Sequence, residues 1–293
     1  MTQRPKRLYK YRTFSDKTLR LLTEAEVYYA NPNTFNDPLD SQPIVNVDID
    51  PHDIERLLHR MIKETKGKSA ADQAINEHLD DFEQYKSHPK ATEYYTRNLT
   101  RDIERRLRSE LGQRGVLSLA KKWDCPLMWS HYADQHRGLC IEYDMCHTAF
   151  SHLRPISYQM QRGVQASDLV AWKIKGDSTA RERIFNTVFF TKAPQWRYEH
   201  EWRDLITKNA ARSAPAEISA VYFGFRCDTS VITTVVRLYR GLTRKVKFYN
   251  IYPQTNSFRL KRRLVNTDEI NASGMRDPIF KYFKDLSNDG AGI

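Results

Sequence analysis

Glu199 and Glu201 stand one residue apart in the run WRYEHEWRDLI (196–206), with Arg197 before them and Arg203 after. Carboxylates at that spacing can do acid–base or electrostatic work on a substrate. They can equally pair with the arginines as a salt ladder on a solvated sheet. Read as a strand, 196–203 alternates its side chains. Trp196, Tyr198, His200 and Trp202 then form an aromatic face, and Arg197, Glu199, Glu201 and Arg203 the opposite one. Both uses of the carboxylates fit that pattern. A glycosidase-style acid/base pair fits it less well, because flanking arginines hold both acids ionised.

Other chemistries leave weaker traces. Cys125, His131, His136, Cys140, Cys146 and His147 fall within 23 residues but show no tight ligand pair, so no metal is expected. A Cys125/His131 nucleophile pair reads better as packing beside Pro126. There is no G-x-G-x-x-G and no G-x-x-x-x-G-K-[ST], hence no signal for a Rossmann or Walker phosphate loop.

The 293 residues are 40% hydrophobic and 28% charged, which fits a soluble globular protein. The basic start lacks a following apolar run, no apolar stretch reaches the roughly 20 residues of a membrane span, and cysteines number four. A cytoplasmic protein with free thiols and no membrane partner is the expectation. The net charge is +11, and residues 237–263 hold nine basic residues and no acidic one. Arg244, Lys245, Lys247, Arg259, Lys261, Arg262 and Arg263, interleaved with Tyr249, Tyr252 and Phe258, are candidate nucleic-acid contacts: cations for phosphates, rings for bases. A solvated basic edge would show the same composition.

Patterning gives the elements that must position these groups. RLYKYR (7–12) reads as a first strand, followed by a helix with Ser15 as N-cap. EVYY is a short strand ending at the Asn31-Pro32 turn, and Asn36-Asp37-Pro38 is set for an Asx-type turn. Asp50 and Pro51 start a helix carrying Ile54, Leu57, Leu58, Met61 and Ile62 at helical spacing, and a second helix covers 90–111. Lys63–Lys90 between them reads as a polar, mobile connection. GVLSLA (115–120), GLCIEYD (138–144), ISAVYFGF (218–225), KVKFYNIY (245–252) and SFRLKRRL (257–264) read as strands. CPLMWSHYADQHRG, 178–190 and 229–240 read as helices. The expectation is one α+β domain over 7–265, with a mixed or antiparallel sheet, a helical insertion near 48–112 and a tail at 266–293 of undetermined order.

Four segments in order, LYKYR (8–12), NPNTFNDPLD (31–40), LMWSHYADQHRGLCIEYD (127–144) and WRYEHEWR (196–203), resemble a widespread bacterial family known only as a domain of unknown function. More distantly the arrangement resembles the ADP-ribosyltransferase fold. That resemblance implies NAD as substrate and transfer of ADP-ribose to a macromolecule, nucleic acid or protein. It assigns Glu201 to the ribose, Glu199 to the acceptor, Arg12 to the pyrophosphate, and Ser130 or Tyr132 to the nicotinamide. Tyr9, Asn36, Asp37, His131 and Arg203 complete the implied NAD pocket. Such a protein would suit bacterial conflict, such as phage defence or growth arrest. The sequence departs from that fold's pattern in lacking a clean Ser-Thr-Ser strand. A non-catalytic nucleic-acid-binding module built on 237–263 is the alternative.

Overall fold

Alternating residues send Leu8 of β1 (Arg7–Arg12) to one core and Tyr9 and Tyr11 to another. The computed structural model describes residues 4–146, 148–150, 152–242 and 245–272. After β1 come α1 (Asp16–Glu24), β2 (Glu26–Tyr29), β3 (Ile44–Asn46) and the helices α2 (Pro51–Lys66), α3 (Lys68–Tyr85) and α4 (Ala91–Leu111). Next are β4 (Gly115–Ala120), α5 (Pro126–Tyr132), β5 (Leu139–Asp144), β6 (Arg154–Pro155), β7 (Ser157–Tyr158) and β8 (Gly163–Gln165). Helices α6 (Ala166–Lys173) and α7 (Ser178–Phe189) precede β9 (Thr191–Lys192), β10 (Glu201–Ile206), β11 (Ala210–Ser213) and β12 (Glu217–Phe223). The chain continues through α8 (Thr229–Leu238), β13 (Lys247–Pro253), β14 (Leu260–Leu264) and α9 (Thr267–Ala272).

The fold is α+β. Eight strands form an open sheet in the order β14-β13-β12-β5-β1-β4-β10-β6, antiparallel except for the parallel pair β12–β13. Helices α1 and α8 close one face with Leu21, Leu22, Val235 and Val236 around Leu8, Leu117 and Ile141. The helical layer α2–α4, with α6 and α7, packs Ile54, Leu57, Ile103 and Phe189 against Val116 and Leu205. Asp50 accepts a hydrogen bond from the Asp53 amide and Pro51 takes the first helical position, so the expected start of α2 is made. No helix among the described residues is long and apolar enough to cross a membrane.

The sheet is not evenly paired at its centre. β1 matches β5 at six positions and β10 matches β4 at six, but β1 meets β4 only at Tyr9↔Ala120. β1 and β4 part on one side of that single pair, and a cavity opens in the gap.

Several elements differ from the sequence reading. Residues 196–200 are not strand: Pro194–Glu199 is a 3-10 turn and His200 is left-handed (φ 43°), so β10 starts at Glu201. Pro194 at the first helical position favours the turn, which overrides the aromatic alternation of 196–202. Lys63–Lys90 is not a loop. Its apolar stripe, Ala70, Ala71, Ala74 and Ile75, is mostly alanine, the best helix former yet weak as a hydrophobic signal. His59–Asp72 (2.8 Å) and His78–Asp102 (3.3 Å) tie α3 to α2 and α4. The helix after Cys125 stops at Tyr132, because Asp134, Gln135 and His136 all take positive φ. Ser15 precedes α1 but its side chain makes no capping bond. In the C-terminal stretch, 267–272 is helical; 273–293, Arg244 and His147 lie outside the described residues.

Candidate active site

The cavity between β1 and β4 holds about 370 Å³, within the range of small-ligand sites. Its floor is a cluster of charges. β10 supplies Glu201 and Arg203 from one pleat face, the preceding turn supplies Glu199, β9 supplies Lys192, and the loop after β2 supplies Asp40. These side chains are buried rather than solvated: Glu199 is 3% exposed, Glu201 5% and Arg203 1%. A salt ladder on a wet sheet is therefore not what the residues form.

Arg203 occupies the centre. Its Nε donates to Glu201 Oε1 (2.7 Å), and its terminal nitrogens donate to Asp40 Oδ1 and Oδ2 (2.9 and 2.5 Å), the Phe189 carbonyl (2.9 Å) and Ser41 Oγ (3.1 Å). Every donor of the guanidinium is directed at protein, so Arg203 holds the site together and has no hydrogen left for a ligand. Lys192 Nζ bonds Glu199 Oε2 at 2.5 Å and Glu201 Oε2 at 3.3 Å. Burial works against its ammonium, but Glu201 and Glu199 outweigh that and bring its pKa up to about 12.

The two glutamates are driven apart. Burial raises both, and the Glu201 charge raises Glu199 further, against the pull of Lys192. For Glu201 the burial effect is overcome by Arg203 and Lys192, which hold it well below the usual carboxylate range. Glu201 is thus a fixed anion and Glu199 the carboxylate closer to taking a proton. Glu199 Oε1 also accepts from the Tyr132 hydroxyl (2.7 Å), which in turn accepts from Asn36 Nδ2 (3.2 Å). Left-handed His200 makes this convergence: it turns the chain so that Glu199, from outside the strand, meets Glu201 across Lys192.

Two further cations enter from β1. Lys10 Nζ donates to the Ser118 carbonyl (2.7 Å), capping an acceptor that the parted strands leave without a ladder partner. Burial, then the nearby Arg12, bring the Lys10 pKa down to about 7, against the opposing pull of Glu201 and Glu199. Arg12 also lines the cavity; its Nε is buried and bonds nothing among the described residues, and burial lowers its pKa.

Of the residues singled out in the sequence, the fold brings Tyr9, Arg12, Asn36, Tyr132, Glu199, Glu201 and Arg203 to this cavity. Three others lie off it. Asp37 accepts from the Leu39 amide as a turn residue, Ser130 faces His136 Nε2, and His131 stacks on Tyr198. Sequence reasoning missed Lys192, Asp40 and Ser118, and gave Lys10 no role. Lys10 and Asp40 stand inside the motif segments LYKYR and NPNTFNDPLD, so position there was their only signal; nothing in the sequence around Lys192 marks it.

Lys261 and Arg263 are exposed on β14, at the free edge of the sheet, and Lys247 and Arg259 are exposed beside it, with Phe258 97% exposed at the adjoining turn. Arg262 differs. Its guanidinium lies 4.5 Å from the Tyr249 ring centre and 5.4 Å from that of Tyr222, and it donates to the Tyr222 hydroxyl.

Residues 128–203 match the model of a family described as Protein of unknown function (DUF2971). The matched quarter of the chain contains Tyr132, Lys192, Glu199, Glu201 and Arg203, but neither β1 nor the Asp40 loop. No curated protein and no solved structure matches the chain.

Proposed function

We propose that the cavity binds NAD and that the protein transfers ADP-ribose from it to a macromolecule. The observation that carries this reading is the parting of β1 from β4. It puts Arg12, whose buried Nε bonds nothing among the described residues, and the Tyr132–Glu199–Lys192–Glu201 cluster on one cleft. Arg12 suits the pyrophosphate, since a largely desolvated guanidinium with no ion pair among the described residues gains most from a bidentate anion. Glu201, held ionised by Arg203, is a fixed negative charge for the oxocarbenium-like ribose as its bond to nicotinamide breaks. Glu199, the carboxylate with the raised pKa, takes the proton of the acceptor as the new bond to the ribose carbon forms. Tyr132 would supply a ring face for the nicotinamide, and its hydroxyl keeps Glu199 oriented.

Nicotinamide release from NAD, with total RNA, DNA and protein extract offered as acceptors, tests this. Wild type releases nicotinamide, and Glu199→Gln slows release by roughly 10²–10⁴-fold, the usual range for loss of a general base. Arg12→Gln raises the NAD concentration needed. No release by wild type with any acceptor sinks the transfer reaction.

A second reading, nucleic-acid binding without catalysis, is favoured by exposed Phe258 and the basic open edge at β14. On the transferase reading that edge would instead dock a nucleic-acid acceptor.

A further inference from the structure

A second basin lies at the far end of β10. Its residues Leu205 and Ile206 line a cavity of about 580 Å³ together with Arg114, Arg154, Arg181 and Arg212. From Glu201 to Ile206 the strand advances roughly 16 Å at about 3.3 Å per residue, so this basin is separate from the carboxylate cluster. Four arginines line it and only one carboxylate, Glu182, does.

The counter-charges are already committed. Glu182 accepts from Arg154 (2.9 Å), whose other terminal nitrogen bonds Asn186 Oδ1 (2.8 Å). Glu110, the acid that acts on Arg114, is held by Lys173 at 2.7 and 2.8 Å. Asp168, on the neighbouring helix α6, is taken by Arg183 at 2.6 Å. Arg114, Arg181 and Arg212 therefore make no ion pair among the described residues.

Arg114 and Arg181 also share one aromatic ring. Their guanidinium carbons lie 4.9 and 5.0 Å from the centre of the same Phe185 ring, so they are within about 10 Å of each other. Burial, and then Arg181, lower the Arg114 pKa. Trp172 packs edge-on against Phe185. Like charges held around a rigid ring, with each nearby carboxylate engaged elsewhere, leave a deficit that a bound anion would fill.

We propose that this basin is a binding site for a small anion bearing two or more phosphoryl groups, with Arg114 and Arg181 as its principal ligands and Arg212 at its margin. Two phosphoryl groups match two unpaired guanidinium forks, each of which takes an oxyanion through parallel N–H donors. The volume accommodates a nucleotide or a smaller diphosphate. The site is independent of the reaction proposed above.

Calorimetric titration of the full chain with inorganic pyrophosphate, and separately with ATP, tests the assignment. Wild type binds at least one of the two at one site per chain. Arg114→Gln/Arg181→Gln weakens that binding at least tenfold, whereas Glu199→Gln in the other cavity leaves it unchanged. Arg181 is exposed, so Arg181→Gln alone keeps the fold and still weakens binding several-fold; circular dichroism of each variant checks this. No binding of either probe by wild type overturns the proposal. So does equal affinity in the arginine variants, which would place the anion at Arg12, and so does binding of a single-stranded oligonucleotide without pyrophosphate or ATP.

Discussion

At the scale of single residues, the site is governed by how few of its charges touch water. Arg203 bridges Asp40 and Glu201 and spends its remaining donor capacity on Ser41 and the Phe189 carbonyl, and Lys192 neutralises Glu199 and Glu201. Lys10 is the group whose charge is most easily lost. Its folded pKa of about 7 lies below the ordinary 10.5. Between those values the unfolded chain binds the proton and the folded chain does not, so the Lys10 contribution to stability improves as pH rises from about 7 towards 10. Below about 7 it is charged in both states and the contribution is flat. Comparing wild type with Lys10→Met in urea unfolding at several pH values isolates it. The stability of wild type relative to the variant should rise by up to about 1.4 kcal/mol for each pH unit crossed. A difference independent of pH would show that the ammonium is not desolvated.

At the scale of elements, the cavity exists because neighbouring segments come unusually close at some places and part at others. Gly138, just before β5, is a point of close approach: a Cβ there would sit 2.2 Å from the Arg12 carbonyl and 3.0 Å from Ala133. Gly138→Ala should push the end of β1 outward, carrying Arg12 away from the cluster. The expected cost is about 1–3 kcal/mol, as for other overpacked sites, or roughly 2–4 °C in Tm per kcal/mol. A thermal melt reads the stability loss, and a higher NAD requirement would accompany it on the transferase reading. An unchanged Tm would mean that the strand ends have room to spare. The other decisive element is the turn at Pro194–Glu199 with left-handed His200, without which Glu199 would project from a strand alongside Glu201 instead of meeting Lys192 and Tyr132.

At the scale of the whole molecule, the net charge of +11 is concentrated rather than spread. One concentration is the exposed edge at β14; another is the arginine basin beside α7. If the β14 edge docks nucleic acid, the logarithm of affinity should fall linearly with the logarithm of salt, by roughly 0.7 per phosphate on a single strand. Lys261→Gln/Arg263→Gln should reduce that slope by about 1.4 while leaving pyrophosphate binding at the basin unaltered. Fluorescence anisotropy of a labelled single strand over a salt series measures it, and an unaltered slope would remove β14 from the interface.

Local chemistry made much of the scaffold readable. The LYKYR strand, the Asp50–Pro51 helix start, the helix at 91–111 and the buried strands at 115–120 and 139–144 follow from periodicity and caps, which neighbours in sequence determine. Glu199, Glu201 and Arg203 could be picked out because they are charged groups crowded among aromatics. Helix α3 escaped because alanine carries its buried stripe. The site as a whole was beyond sequence reading. Lys192 reaches Asp40 from the far side of α2–α4 and β4–β8, and Lys10 reaches Ser118 across 108 residues. Which charges are desolvated, which are neutralised, and where β1 leaves β4 depend on segments distant in the chain. Tertiary structure alone decides that, because burial and ion pairing are properties of neighbours in space.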